Sequence, residues 1–358
     1  MGLDNFIQKS ELLSFKGTRC LRNAYYHNDC TLCIDLCPKD AFEVIRNKII
    51  LDSKSCNDCA VCIGICPTEA ISIENFDPNE FTVRFSETDD SLISCKKNSS
   101  CLSAFDKHHF ISMALRNEAE ITCDMSLCEE CELNKDETVE KHIRENIAHS
   151  NKFFEDSNVK IKINTKEYID DENDRRAMFK EIFSKTKEKL QEGEEEPAIT
   201  ELHQAKLNSK LPLKHTILKN SIKLKLDLFE NKTMSDTLFT EKIIDFQKCI
   251  NCSDCVQFCP TEALVATSDK QGINIIYSSC TSCGICDDIC KSNAITSKEN
   301  YDLVNIVYDR GTTLVHYDMV VCQECKCPFP YKGGEPICDR CEDFTVNFTD
   351  MFTMAKDI

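Results

Sequence analysis

The sequence contains no tryptophan and few glycines, nine in 358 residues. So few glycines leave little room for a Gly-rich phosphate-binding loop, and neither a G-x-G-x-x-G fingerprint nor a Walker motif occurs. A nucleophile elbow and a zinc-protease signature are missing as well. The chain therefore offers no recognisable site for NAD, flavin or a small substrate.

Long apolar runs are missing too. No stretch approaches eighteen consecutive apolar residues, so the sequence predicts no membrane span. The opening segment MGLDNFIQKSELLSFKG lacks a basic region followed by an apolar one, so it does not resemble a secretory signal. Both absences predict a soluble cytoplasmic protein.

Cysteine and acidic residues are what the chain has in abundance. It holds 26 cysteines, and in a reducing cytoplasm thiols stay available as metal ligands rather than forming disulfides. The formal net charge is −18, which repels nucleic acid and anionic membranes and favours a protein partner with a basic docking surface. An alternative is that the charge serves solubility alone.

Most of the cysteines lie in two pairs of similar runs. Three runs have the complete spacing C-x2-C-x2-C-x3-C, and the first run lacks one cysteine. With this spacing a tight loop presents three thiolates to one iron–sulfur cluster, while the fourth cysteine ligates the other cluster of the pair. The runs are Cys30, Cys33, Cys37; Cys56, Cys59, Cys62, Cys66; Cys249, Cys252, Cys255, Cys259; and Cys280, Cys283, Cys286, Cys290.

Residues 20–75 and 245–297 each resemble a bacterial two-[4Fe–4S] ferredoxin domain, down to CPTEAISI at residues 66–73 and CPTEAL at residues 259–264. The resemblance implies two clusters in each domain, with the fourth cysteine of each run crossing to the other cluster. The implied ligand sets are site 2 (Cys37, Cys56, Cys59, Cys62), site 3 (Cys249, Cys252, Cys255, Cys290) and site 4 (Cys259, Cys280, Cys283, Cys286).

The remaining cluster, site 1, is one ligand short in the first run. That run supplies Cys30 and Cys33, and the remote Cys66 is the third ligand. His27 stands in register for the fourth position and would raise the reduction potential, while Cys20 lies ten residues before Cys30. Because cysteine is the usual ligand and the intervening loop is long enough to fold back, we favour Cys20. A three-iron cluster or an iron with an open coordination position is the remaining alternative.

Four C-terminal cysteines have the C-x2-C and C-x2-C layout of a zinc ribbon or treble clef. They predict a structural Zn2+ site, with a rubredoxin-like iron as the alternative. Cys327, which lies between the two pairs, is a spare thiol or a substitute ligand. The predicted ligands of this knuckle site are Cys322, Cys325, Cys338 and Cys341.

A looser group of cysteines follows the first ferredoxin-like domain. Residues 92–95 are typical of a strand end, residues 102–116 of a helix and residues 121–125 of a second strand, so a small βαβ-like unit is predicted. His108 and His109 lie in this helix and are predicted to be packed or solvated rather than metal-bound. The thiols would gather near the strand ends and hold a [2Fe–2S] cluster or Zn2+, with partly free thiols as the alternative. This site 5 consists of Cys95, Cys101, Cys128 and Cys131.

Residues 135–245 contain no cysteine and are densely charged. Apolar residues recur every four positions in residues 139–147 and 178–183, so two amphipathic helices are predicted, followed by a solvated linker, GEEEP, at residues 193–197. The basic, apolar stretch at residues 210–229 is either a helix packed between domains or a docking helix for a partner, and we favour the packed helix.

These patterns together predict an α+β protein. It comprises two ferredoxin-like dicluster domains, each followed by a small Cys-rich unit, which is βαβ-like in the N-terminal half and similar to a zinc ribbon or treble clef in the C-terminal half. The predicted domains are residues 18–80 (dicluster domain 1), 81–134 (α/β unit), 135–240 (charged helical segment), 241–300 (dicluster domain 2) and 301–345 (knuckle unit).

The predicted function is electron transfer by an iron–sulfur protein or oxidoreductase subunit that relays single electrons through four [4Fe–4S] clusters. The cysteine layout is similar to that of multi-cluster ferredoxin-like proteins associated with bacterial formate dehydrogenases, which implies such an enzyme as the partner. Two alternatives stay open. One is an iron–sulfur accessory protein for assembly of a molybdoenzyme, and the other is a reductase acting at an open coordination position of site 5.

Overall fold

The structure is a computed structural model that combines helices with small sheets and so confirms the α+β class. It describes residues 7–88, 90–117, 120–134, 136–155, 159–165, 200, 202, 210–229, 233–234, 238–308 and 311–348. The chain divides into two compact units. Unit 1 contains the described residues up to Phe239 together with Thr281–Cys283 and Asn300–Tyr308. Unit 2 contains Thr240–Cys280, Gly284–Glu299 and the described residues from 311 onward.

The elements are numbered in chain order. The strands are β1 Ile7–Lys9, β2 Leu13–Lys16, β3 Phe42–Ile45, β4 Lys48–Leu51, β5 Ile71–Ile73, β6 Leu92–Ser94, β7 Ile121–Asp124, β8 Ile161–Asn164, β9 Thr233–Met234, β10 Lys242–Ile244, β11 Leu264–Ala266, β12 Gly272–Ile276, β13 Ile295–Ser297, β14 Tyr301–Asp302, β15 Gly311–His316, β16 Asp318–Val321 and β17 Pro328–Tyr331. The α-helices are α1 Leu21–Ala24, α2 Leu32–Asp35, α3 Pro78–Phe85, α4 Lys107–Asn117, α5 Thr138–Phe153, α6 Leu213–Leu224, α7 Asp254–Gln257, α8 Ile285–Ile289, α9 Leu303–Val307 and α10 Asp339–Phe348.

The first dicluster region of unit 1 is built on two small antiparallel sheets. In one, β2 lies between β1 and β5, so strands that precede residue 18 belong to this sheet. The other is the hairpin of β3 and β4, whose two turn residues, Arg46 and Asn47, both have a positive φ, as a type I′ turn requires. Leu13, Phe15 and Ile49 are buried in the core beside the cysteines of this region. The sheets thus support the loops that carry the cluster ligands.

The α/β region of unit 1 is a parallel sheet in the order β6-β7-β8. The predicted βαβ order is confirmed for β6, α4 and β7, and the sheet continues through α5 to β8, past the boundary at residue 134. Helix α4 begins at Lys107 rather than at residue 102 because the Asp106 carboxylate accepts hydrogen bonds from the backbone N–H groups of His108 and His109. Helix α4 is almost entirely buried.

Two predictions for the charged middle fall on described helices. Helix α5 buries Val139, Ile143 and Ile147 along one face, which confirms the first amphipathic helix. Helix α6 buries Ile217, Leu218 and further residues and packs against α4, so the stretch at residues 210–229 forms a packed helix rather than a free docking helix. The second predicted helix, at residues 178–183, and the linker at residues 193–197 lie outside the described residues.

Unit 2 contains two sheets around its cysteine runs. Strands β10 and β13 pair with each other, and β12 lies between β11 and β15. Strand β15 therefore joins the dicluster region although it follows residue 300, where the sequence placed the domain boundary. The Tyr317 hydroxyl donates hydrogen bonds to the carbonyl oxygens of Phe246 (2.9 Å) and Cys249 (3.1 Å), which ties the same C-terminal segment to the loop that carries a predicted ligand.

The C-terminal part of unit 2 consists of the β16–β17 hairpin followed by α10. This order of hairpin and helix agrees with the predicted treble-clef-like unit. No helix among the described residues has the length and apolarity needed to cross a membrane.

Candidate metal centres

Site 1 brings together four buried or half-buried thiols from three segments of unit 1. Burial raises the pKa of the Cys20 thiol, and the neighbouring Cys66 and Cys30 thiols raise it further. The pKa of Cys33 is likewise raised, by burial and then by Cys66, Cys20 and Cys30. His27 is exposed, and its ring packs edge-on against Tyr25 and Tyr26. The structure thus places Cys20 among the other thiols of this site.

The local fold explains why Cys20 reaches the site. Cys20 caps the short helix α1, and its carbonyl accepts a hydrogen bond from the Ala24 N–H at 2.8 Å. The chain then turns back, and the side-chain oxygen of the buried Asn28 accepts a hydrogen bond from the Cys30 N–H at 3.1 Å. The loop between the two cysteines is therefore folded back by its own polar groups.

Site 2 gathers the other cysteines of the same region. Burial raises the pKa of the Cys59 thiol, and the neighbouring Cys37 and Cys56 thiols raise it further. The Cys62 thiol is the most buried of the set, and after burial the nearby thiols Cys59 and Cys37 raise its pKa. Cys33 of site 1 also raises the pKa of Cys62, so the two sites are electrostatic neighbours. Burial favours the neutral form of these thiols. A bound cation stabilises the thiolate form, so the group is suited to ligating a metal.

The last cysteine of each run has a repeated local structure. The residue three positions after this cysteine adopts a left-handed conformation. In three runs the backbone N–H four positions after the cysteine points back at the cysteine sulfur. Such amide donors lower the energy of a negatively charged cluster. The left-handed residues are Asp40, Glu69, Glu262 and Asn293, and the N–H to Sγ distances are 3.3 Å for Ala41 to Cys37, 3.2 Å for Ala70 to Cys66 and 3.2 Å for Ala294 to Cys290.

Site 3 of unit 2 repeats this arrangement. Burial raises the pKa of Cys255 to about 12, and the Cys249, Cys252 and Cys290 thiols contribute after burial. Burial would also raise the pKa of Cys290, but the Ser292 hydroxyl and nearby backbone N–H groups outweigh it and lower the pKa. The structure thus brings the predicted ligands of site 3 together.

Site 4 is described in part. Cys280 and Cys286 lie near the side chain of Lys242, which is buried and pairs with Asp287 at 2.5 Å. The sulfur of Cys259 lies 3.8 Å from the Thr261 hydroxyl. Cys283 belongs to the segment Thr281–Cys283 of unit 1, so the assembly of the four ligands stays a prediction.

The segment of unit 2 that carries its two cysteine runs matches a known family model. Residues 241–291 match the family model of a 4Fe-4S dicluster domain. The match spans sites 3 and 4 up to Cys290, and a donor set of thiols with amide N–H groups aimed at sulfur fits such clusters. It supports an iron–sulfur electron-transfer role for this part of the chain. No curated protein matches the chain.

The knuckle site is compact. The sulfur atoms of its four cysteines all lie within 4.8 Å of one another, with Cys325 and Cys338 3.7 Å apart. Burial would raise the pKa of Cys322, but backbone N–H groups, first that of Cys338, outweigh it and lower the pKa to about 6. Cys327 is exposed, and its thiol is directed at the Cys325 carbonyl. Four close thiols, one of them acidic, can hold a single tetrahedral cation.

Site 5 lies at the carboxyl ends of β6 and β7. Burial raises the pKa of Cys101 to about 12, and Cys128, Cys95 and Cys131 contribute after burial. The pKa of Cys128 is also raised to about 12, first by burial and then by the neighbouring Cys95 thiol. Cys123 is fully buried inside β7, and burial alone raises its pKa, so it stands apart from the group. The four predicted thiols are therefore neighbours in unit 1.

A buried ionic network, which the sequence did not indicate, lies against the loop that carries Cys66. The Lys214 ammonium, 3% exposed, pairs with Asp106 at 2.6 Å and donates hydrogen bonds to the carbonyl oxygens of Cys66 (2.7 Å) and Gly64 (3.0 Å). The Glu69 carboxylate accepts hydrogen bonds from backbone N–H groups at the start of α6. Helix α6 is thus fastened to the segment between sites 1 and 2.

The two predicted helix histidines belong to this network. His109 and His108 contact the Asp106 carboxylate at 2.8 Å and 3.1 Å, so both are packed residues, as predicted. Burial would raise the pKa of Asp106, but Lys214 and the histidines outweigh it and hold the pKa well below its usual range. The ionised carboxylate is therefore the centre of the network.

Proposed function

We propose that the chain is an iron–sulfur electron-transfer protein or oxidoreductase subunit that relays single electrons through four [4Fe–4S] clusters, at sites 1 to 4. The observation that carries the proposal is the repeated grouping of buried thiols with backbone N–H groups aimed at sulfur, in a chain whose residues 241–291 match a dicluster domain. A [4Fe–4S] core bound by four thiolates exchanges one electron without making or breaking bonds to substrate.

The adjacency of sites 1 and 2 supports relay rather than storage at isolated centres. Cys33 of one set is close enough to Cys62 of the other to raise the pKa of the Cys62 thiol. The rate of electron tunnelling falls steeply with distance. Two clusters whose ligands are neighbours therefore exchange electrons quickly. Each dicluster region would then pass electrons between its two clusters.

The chemistry of the partner follows from charge. The chain carries a formal net charge of −18, and ligand thiolates make the cluster regions more negative still. An acidic carrier associates fastest with a partner that presents a basic surface. A molybdenum or tungsten formate dehydrogenase is the partner to test first, because the cysteine layout resembles carriers of that kind.

The knuckle site completes the proposal as a structural Zn2+ site. Tetrahedral Zn–S bonds of about 2.3 Å require sulfur–sulfur separations of about 3.8 Å, and the 3.7 Å between Cys325 and Cys338 agrees with that value. Site 5 is a further metal site, for [2Fe–2S] or Zn2+.

The test is anaerobic purification of the full chain with iron, sulfide and zinc counts, followed by EPR during reduction. We expect about sixteen irons in cubane clusters and rapid reduction or oxidation of these clusters by the partner enzyme in stopped flow. Far fewer irons, or clusters that a redox partner neither reduces nor oxidises, would contradict the relay. Partner maturation that persists with cluster-free variants would instead favour an assembly role.

A further inference from the structure

The loop that carries Cys101 of site 5 is hydrogen-bonded to the loop that carries Cys62 of site 2. The Ser103 hydroxyl, two residues after Cys101, donates a hydrogen bond of 2.8 Å to the carbonyl of Val61. Val61 directly precedes Cys62. A short covalent path interrupted by one hydrogen bond therefore joins a predicted ligand of one site to a predicted ligand of the other.

The contact between these loops is dry and close. Val61, Ser103 and Phe105 are each 0% exposed. A Cβ placed on Gly64 would approach the Ser103 carbonyl oxygen to 2.7 Å and that of Phe105 to 2.8 Å, so the two backbones touch in a way that glycine permits. The two loops are therefore in direct, buried contact at this point.

The spacing of the site 5 thiols differs from that of the knuckle site. A single Zn2+ requires all four sulfur atoms about 3.8 Å apart. Among the described residues, sets of three or more ligand atoms within 4.8 Å of one another are confined to the knuckle site. The site 5 thiols are near enough to influence one another's protonation but more widely spread, as are those of sites 1 to 3. A wider set of thiols fits more than one metal ion.

The sequence order of the thiols is compatible with two metal ions, and their wider spacing separates this site from the knuckle site, which also contains two pairs. Cys95 and Cys101 come from the segment after β6, and Cys128 and Cys131 come from the turn after β7. Two pairs from two strand ends match a cluster of two irons in which each iron takes two thiolates. The C-x2-C-x2-C loop that wraps three corners of a cubane is missing from this site.

We propose that site 5 holds a [2Fe–2S] cluster that exchanges electrons with the cluster of site 2 across the Ser103–Val61 contact. The proposal rests on the relay function proposed above and adds a fifth redox centre to unit 1. In the step, one electron leaves site 2 and one arrives at site 5, or the reverse, with no bond made or broken and no proton required. The electrons are those that the redox partner supplies or removes.

Metal analysis tests the identity of the centre. The full chain and a Cys101→Ser/Cys131→Ser variant are purified anaerobically, with Cys123→Ser as the matched control for a buried thiol of the same sheet. We expect the double variant to lose two irons and two sulfides and to keep its zinc, and the control to lose neither. Loss of one zinc, loss of four irons, or no change would each overturn the proposal.

A measurement on the unaltered protein covers the case in which the double variant fails to fold. The reduced full chain should show an EPR signal that persists at temperatures where [4Fe–4S] signals have broadened beyond detection. Absence of that signal in a preparation that contains all four cubanes would overturn the proposal and leave the relay function intact. A preparation without cubanes would instead contradict the relay function itself.

Spin relaxation tests the coupling. During a stepwise reduction, the microwave power that half-saturates the [2Fe–2S] signal should rise several-fold once the neighbouring cubane becomes paramagnetic. A Cys249→Ser/Cys252→Ser variant, altered in unit 2, should show the same rise. A half-saturation power that stays constant, or a rise that disappears in this variant, would show that site 2 is not the neighbour.

Discussion

Cys20 and His27 are the two candidates for the fourth ligand of site 1, and their surroundings in the structure differ. Cys20 is 6% exposed and lies beside Cys66 and Cys30, whereas His27 is exposed against two tyrosine rings. We expect Cys20→Ser to lose one cluster, about four irons per chain, and His27→Ala to keep it. Iron counts on anaerobically purified chains measure both, and the opposite pattern would reject Cys20 as a ligand.

Lys214 is the second residue with a specific prediction. Lys214→Met leaves Asp106 ionised and buried without its cation, which costs about 3–5 kcal/mol. Loss of cluster absorbance during a urea titration should therefore occur at a much lower urea concentration. The control Lys9→Met removes an exposed ion pair of 3.8 Å, worth less than about 1 kcal/mol. Equal midpoints for the two variants would mean that the network does not hold the Cys66 loop.

The two kinds of residue differed in how far sequence could identify them. The cysteines could be predicted as ligands because their spacing along the chain is part of the geometry of a cluster site. Lys214 looked like an ordinary basic residue of a helix, since its partner, the Cys66 carbonyl, is 148 residues away in sequence. A contact of that kind depends on tertiary packing and leaves no local pattern.

At the scale of elements, Gly64 controls how the site 2 loop packs on the segment before α4. Gly64→Ala should destabilise unit 1 by about 1–3 kcal/mol, because the added methyl meets backbone rather than a side chain that could move. The matched control is Gly311→Ala, where a Cβ meets nothing within 4 Å. Urea midpoints should fall in the first variant alone, and a fall of equal size in both would contradict the close contact.

The knuckle is the second element with a testable role. Cys325→Ser removes one of four close sulfurs and should abolish zinc binding, while Cys327→Ser alters an exposed thiol outside the group and should keep it. Zinc counts measure the difference. In the first variant we also expect faster hydrogen exchange in β16, β17 and α10, since this segment would lose the metal that joins its hairpin to its helix. Zinc retained without Cys325 would assign the fourth ligand to Cys327.

Element types were predicted better than their ends. The βαβ order followed from two apolar segments around a helical one. The start of α4 was wrong by five residues because the Asp106 cap competes with the apolar pattern that begins at Leu102. A polar cap buried beside Lys214 is not distinguishable in sequence from a surface aspartate.

At the scale of the whole molecule, unit 2 depends on residues far beyond its cysteine runs. A chain that ends at residue 318 retains β15 and Tyr317 and should keep its iron, whereas a chain that ends at residue 299 should lose iron from unit 2. The physical reason is that β12 would lose a neighbouring strand and the Cys249 loop its hydrogen-bond donor. Iron and sulfide counts on the two truncated proteins measure this, and equal contents would contradict it.

The same dependence explains why motif spacing predicts candidate ligands but does not indicate which strands pair. Strands β1 and β2 join β5, and β15 joins β12, through pairings between segments that carry no cysteine and share no motif. Short strands of three to six residues contain too few side chains to specify their partners locally. Their pairing is decided by the assembled core.

The composition of unit 1 also has a consequence for the order in which the protein is made. Unit 1 includes Asn300–Tyr308, although the cysteines of site 1 all precede this segment in the chain and are therefore translated before it. Domains ordinarily fold one after another as they emerge. The predicted ligand thiols of site 1 are therefore synthesised before the last segment of the unit that contains them, and completion of unit 1 has to follow synthesis of Asn300–Tyr308.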